Sequence, residues 1–301
     1  MATLPNPLPS LAGDPSGRSL GLSLPPGRLI DTTLDGPWSQ PLLWQADTTA
    51  APGGWTALGT PAGRVGLLPV LVDAGDTQGG PQDWELAPGE TSYPGDHDPE
   101  EVLAEYWEYW EDEEEEEAEE EAEAGTGNGP AGGDSFAAGF ELAELLAPFG
   151  PEWPGLAPGH PRGTDPAEAA AAAARLADSL TAGSGSGFKD LRLALVPARR
   201  SADVPAALGW SGPLNHENDV ARLCAVLRSW EDRYGIRVVA LGFDVLAVSV
   251  AAPPTTLAEA EALAAEHFAF CPDNITESGS GKLADYAKGL VGESAWHFWW
   301  D

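Results

Sequence analysis

The stretch VLRSWEDRYGIRVVALGFDVLAVSVA, residues 226–251, holds a helix end, two strand-like runs and the turn between them. Leu227 and Trp230 continue an apolar stripe begun by Val220, Leu223 and Cys224, at the spacing of one helix face. Gly235 follows as the residue that can adopt the left-handed conformation of a helix stop. The runs IRVVAL and LAVSVA then flank Gly242-Phe243-Asp244, a turn cluster that predicts a hairpin. A helix leading directly into a hairpin requires a fold that mixes helices with an antiparallel sheet.

Working outward, FKDLRLALVPA at 188–198 reads as a strand with Leu191, Leu193 and Leu195 on one side. Asn215 is placed to cap the helix that follows, with Glu217 and Asp219 suited to the positive end of its dipole. Thr256 and Glu259 form a capping box for a helix running through Phe270, which Pro272 ends. A shorter helix over 282–291 presents Leu283, Tyr286 and Leu290, and AWHFWW closes the pattern as an aromatic strand. The order strand, helix, hairpin, helix, helix, strand predicts an α+β fold: a split βαβ (ferredoxin-like) sheet with one added helix and helices on one face.

The rest of the chain divides by composition. Residues 1–98 are expected to form a small β-rich domain, with SLGLSLP, RLIDTT, PLLWQAD, GWTALGT and GLLPVLVD as short strands. Trp38, Trp44, Trp55 and Trp84 are its candidate core or rim aromatics. Residues 99–139 open with a helix carrying Leu103, Tyr106, Trp107 and Trp110, then pass through an acidic run to a linker. Residues 140–187 read as a helical connector, in which Asp165-Pro166-Ala167-Glu168 starts an alanine-rich helix to about Leu180. Residues 188–301 form the α+β C-terminal domain.

Charge narrows the partners. The chain has 48 acidic residues against 15 Lys and Arg, for a net charge of −33. Such a field disfavours nucleic acid and anionic membranes and attracts basic proteins. No apolar run approaches the ~18–20 residues of a membrane helix, and the start lacks a cationic segment followed by an apolar one. The expected location is therefore the cytoplasm. GSGSG at 183–187 lacks the Lys and Ser/Thr of a phosphate loop, and no cofactor is expected.

A family resemblance follows from several motifs in order. GWSGPLNHENDVARL at 209–223, the opening stretch extended to Pro254, AEHFAFCPDNI at 265–275 and the final FWWD resemble the bacterial domain of unknown function 4253 family. The similarity spans about 188–301. GRLIDTTLDGPWSQPLLW, GLLPVLVD and SYPGDHDPEEVLAEYW are similar to the leading region of longer members. The resemblance implies a domain boundary and carries no reaction, cofactor or catalytic residue.

Two groups of side chains stand out. His267, Cys271 and Asp273 could form a thiol, base and orienting acid, the parts of a hydrolase or transferase. On a helical wheel, however, His267 joins Ala260, Leu263, Ala264 and Cys271 on the apolar face, with Glu266 outside it. Packing is therefore the expected role, and no catalytic residue is assigned. His216, His267, Cys271 and Asp273 are acceptable zinc ligands, but their spacing demands no metal and none is assigned. Binding candidates are Trp210, Asn215, His216 and Asn218 around PLNHENDV, with His297 and Trp299 on one side of the last strand. Arg199-Arg200 could hold an anion, though surface pairing with acids is expected. The expected function is that of a non-catalytic binding or regulatory protein, of immunity type, acting on a basic protein partner. The alternatives are a Cys271/His267 enzyme and a spacer whose acidic segment confers solubility.

Overall fold

The computed structural model describes residues 5–109, 143–159, 164–183, 187–277 and 281–301. The acidic run at 111–123 and the linker expected at 125–139 lie outside the described residues. The chain forms two compact units. One comprises Met1–His97, His160–Ala252 and Ser294–Asp301; the other comprises Asp98–Gly159 and Pro253–Glu293.

The first half contributes α1 (Ser10–Gly13), β1 (Gly27–Ile30), β2 (Thr32–Thr33), β3 (Gly36–Pro37) and β4 (Leu43–Thr49). α2 (Gly54–Gly63) and β5 (Leu67–Asp73) follow, then helical residues 99–109 (α3) and a helical turn at 143–146 (α4). The second half contributes α5 (Pro166–Thr181), β6 (Leu191–Pro197), α6 (Val204–Leu208) and α7 (Val220–Tyr234). It continues with β7 (Arg237–Leu241), β8 (Val245–Ser249), α8 (Leu257–Phe270), α9 (Asp273–Thr276), α10 (Leu283–Leu290) and β9 (Ala295–Trp299).

The first unit is built on a seven-stranded mixed sheet in the order β1-β4-β6-β5-β7-β8-β9. All neighbours are antiparallel except β5 and β7, which run parallel. β5 pairs along its whole length with β6, from Leu67 opposite Pro197 to Asp73 opposite Leu191. On one face, Leu58 and Ala62 of α2 pack with Trp44, Leu67 and Leu195. Ala173, Ala177 and Leu180 of α5 pack there with Leu71, Ala240 and Ala247. On the other, Trp230 of α7 stacks on Phe298 at 5.5 Å and meets Trp296 edge-on at 5.6 Å.

The mixed α+β class holds, with four corrections to its details. Helices cover both faces of this sheet, not one. Strands expected in a separate N-terminal domain, β1, β4 and β5, share the sheet with β6–β9, and β5 lies between β6 and β7. This order differs from a split βαβ arrangement. The physical reason is that Val70, Leu71 and Val72 are apolar on both faces of β5 and buried, as an interior strand requires. GWTALGT is helical, because Leu58 and Ala62 fall on one face of α2 while Gly59 admits Pro69, whose Cγ lies 2.8 Å from where a Cβ would stand. Finally, α7 starts at Val220 with Asp219 as its cap, accepting from the Ala221 N–H; Pro213–Glu217 turns instead, which removes Asn215 from that role.

A buried carboxylate fixes the central register. Asp73 ends β5, and its two oxygens accept the N–H groups of Gly75, Lys189 and Asp190 at 3.0, 2.9 and 2.8 Å. The start of β6 is thus tied to the end of β5.

The second unit surrounds α8. Thr256 and Glu259 form the expected capping box. The Trp107 indole donates to the Pro151 carbonyl at 2.7 Å, and its ring meets Trp153 and Phe268 edge-on at 5.6 Å. Glu266, expected outside the apolar face, is fully buried, and Oε1 accepts the Ala157 N–H at 2.6 Å. The last turns of α8 are enclosed on every side, so this carboxylate serves a backbone donor instead of solvent. Among the described residues no helix is long and apolar enough to cross a membrane.

Two substitutions test this accounting by urea denaturation. Asp73→Ala strands three backbone donors and is expected to lower stability by roughly 3 kcal/mol. Glu266→Ala strands one buried N–H and is expected to cost about 2 kcal/mol. A change within 0.5 kcal/mol, the range of ordinary surface substitutions, would contradict either assignment.

Candidate functional site

The turn of the β7–β8 hairpin is clasped by aromatic residues. The Trp210 indole N–H reaches the carbonyls of Gly242 and Phe243, at 3.0 and 3.1 Å. Trp210 also meets Trp300 edge-on at 5.7 Å, and the Trp300 N–H donates to the Asp244 carbonyl at 3.2 Å. Gly212 lets the Trp210 ring lie close: a Cβ there would stand 2.1 Å from a ring carbon. Gly209 turns the chain into this segment at φ +63, where a Cβ would meet the Pro88 nitrogen at 2.1 Å. The Asn215 side-chain amide donates to the Asp301 carbonyl. Trp210 and Asn215 therefore act as supports for the turn and for the residues after β9.

What these supports hold in place is Trp299 beside Asp244. Trp299 alternates with the buried Phe298 and Trp300, leaving the residue 38% exposed. Its side chain hydrogen-bonds the Asp244 carboxylate. Burial raises the Asp244 carboxyl above the usual carboxylate range, and the nearby charges of Asp76 and Asp301 add to that rise. Asp76 is itself held by Lys189, 3.0 Å away, which keeps its carboxyl below the usual range. An exposed indole next to crowded carboxylates is suited to an incoming cation. The ring face attracts it through the quadrupole, and the acids supply charge.

The other expected residues are dispersed. His267, Cys271 and Asp273 belong to the second unit. His267 is fully buried, with Nδ1 3.0 Å from the Tyr286 hydroxyl, and burial raises the pKa of that phenol. Cys271 is also fully buried, with its thiol 3.6 Å from Asn274 Oδ1. Asp273 opens α9, and its carbonyl accepts the Glu277 N–H. In the first unit, His216 is half-buried in the Pro213 turn, Asn218 is exposed, and His297 is exposed opposite Ala247. Among the described residues no group of three or more His, Cys, Asp or Glu is placed to hold a metal ion.

Two groupings were not foreseen. Asp244 and Asp76 come from separate turns, and only the sheet brings the charge of Asp76 to bear on Asp244 beside Trp299; the GFD turn was the sole signal for Asp244. The Ser92 hydroxyl lies 2.6 Å from His97 Nε2, which is 3.8 Å from Asp219 Oδ2, while Asp219 Oδ1 accepts the Ser92 N–H at 3.0 Å. A catalytic relay needs the carboxylate on the opposite ring nitrogen. Here both groups approach the same one, so the cluster ties a loop to the cap of α7.

No curated protein and no solved structure matches the chain. The expected likeness at the C-terminal end is shown, because residues 192–301, which include β7–β9, nearly all of β6, and Asp244 and Trp299, match the family model described as Domain of unknown function (DUF4253).

Proposed function

We propose that this is a binding protein that recognises a cationic side chain of a basic protein partner on Trp299, with Asp244 and Asp301 beside it. The observation that carries this reading is the exposed indole bonded to a carboxylate already crowded by other acids. The protein's own cations support it as well. Of 15 Lys and Arg, at least Arg28, Lys189, Arg192, Arg222, Arg228 and Lys288 lie in ion pairs with its own acids. The outward field is then set by the excess acids, which speeds the approach of a basic partner and weakens as salt is added.

Titration of the full chain with an arginine-rich peptide, followed by calorimetry and by the Trp299 indole resonance, tests the reading. Trp299→Ala is expected to weaken binding roughly 3- to 30-fold, the span of a cation–π contact; Trp299→Phe should retain most of it. Equal affinity for wild type and Trp299→Ala, with both lost alike in salt, would leave only non-specific attraction and overturn the site.

Asp244 gives a second test through pH. Its carboxyl pKa is raised in the folded state, so folding favours the protonated form. That contribution is complete below the ordinary carboxyl value, about 3.9, and is lost as pH rises through the raised value. Asp244→Asn is therefore expected to raise the melting temperature at neutral pH, with the gain fading on acidification, while peptide binding weakens. A melting temperature unchanged at neutral pH would argue against a strained carboxylate.

A further inference from the structure

In the first unit, a cavity of about 540 Å³ opens at the end of the sheet where β5 and β7 begin and β6 finishes. Its apolar wall includes Trp55, Pro69 and Ala174, and its polar wall carries Arg199, Arg200 and Arg237. Three arginines line one hollow in a chain with only 15 Lys and Arg against 48 acids. Glu231 is the acid among the lining residues.

The bonds within this wall hold it in shape, and its lining sets three arginines against one acid. Glu231 accepts the Ala202 N–H at 3.0 Å, sits 3.2 Å from Arg237 Nη1 and lies 3.7 Å from Arg200 Nε. Arg200 turns Nη2 outward to Asp232, whose side chain is 68% exposed, and toward the Arg228 carbonyl. Among the described residues, the contacts of Arg200 run through Nε and Nη2 and those of Arg237 through Nη1. The Val238 N–H donates to Ser201 Oγ at 2.8 Å, fixing the loop after β6 beside β7. The Arg200 and Arg237 guanidinium groups are therefore positioned before any ligand arrives, which lowers the ordering cost of binding. The volume suits a small organic molecule.

We propose that this cavity binds a small organic anion, with a phosphate or carboxylate head on the arginines and an apolar or aromatic body against Trp55 and the alanine wall of α5. The inference is independent of the Trp299 surface, since it rests on different side chains and the opposite ligand charge.

Calorimetric titration of the full chain with phenyl phosphate, phenylacetate, inorganic phosphate and 4-phenylbutylamine tests it. At least one aromatic anion should bind, and the tighter of the two identifies the head group. Inorganic phosphate should bind at least about tenfold more weakly, for want of the buried ring. The amine should give no signal. Arg237→Gln should weaken the anion about ten- to a hundredfold through loss of charge-assisted hydrogen bonds. Ala171→Trp places bulk at an exposed lining position and should abolish binding while the melting temperature holds, which separates blockage from unfolding. Silence from both aromatic anions, or affinity unchanged in both variants, overturns the proposal.

Discussion

β5 is the constraint on which the first unit depends. It pairs antiparallel with β6 and parallel with β7, so the strands on either side of it meet only through it. An interior strand needs apolar side chains in both directions, and LLPVLVD supplies them. Asp73 then removes the freedom to slip: a one-residue shift would move every side chain to the wrong face and would detach the Lys189 and Asp190 N–H groups from the carboxylate. The family-matched segment, 192–301, therefore holds only part of this sheet, with β6 and β7 left without the strand between them.

Most local signals in the sequence were read well, the Asn215 cap and the GWTALGT strand excepted. The Gly235 stop, the Thr256–Glu259 capping box, the Asp165 cap and the hairpin around Gly242–Asp244 each need only a few neighbouring residues, and each is present. What could not be read was pairing at a distance. Nothing in GLLPVLVD distinguishes a strand of a small N-terminal domain from the centre of a larger sheet. Glu266 shows the same limit at one side chain. A helical wheel separates two faces, but it has no account of a third surface formed by Trp107 and the Pro151 segment.

The candidate site was half legible for the same reason. Trp299 stood out through strand alternation, and Trp210 and Asn215 through a dense polar motif. Their roles emerged only with the tertiary contacts: Trp210 and Asn215 brace the turn, and Trp299 faces outward. Asp244 gained meaning from its bond to that indole, and Asp76 from its charge near Asp244. The arginines divide similarly. Arg199-Arg200 was visible as a doublet, whereas Arg237 joins it across the sheet end. The exposed indole beside carboxylates and the hollow lined by three arginines are the two environments on which the proposals of a cationic and an anionic ligand rest.

The tie between Asp73 and the start of β6 joins positions 117 residues apart. During synthesis β5 therefore emerges long before either of its neighbours, with two greasy sides and two open backbone edges. The nascent chain must keep that segment out of trouble until more than half of the polypeptide has left the ribosome, so the assembly of this sheet is paced by translation as well as by its own chemistry.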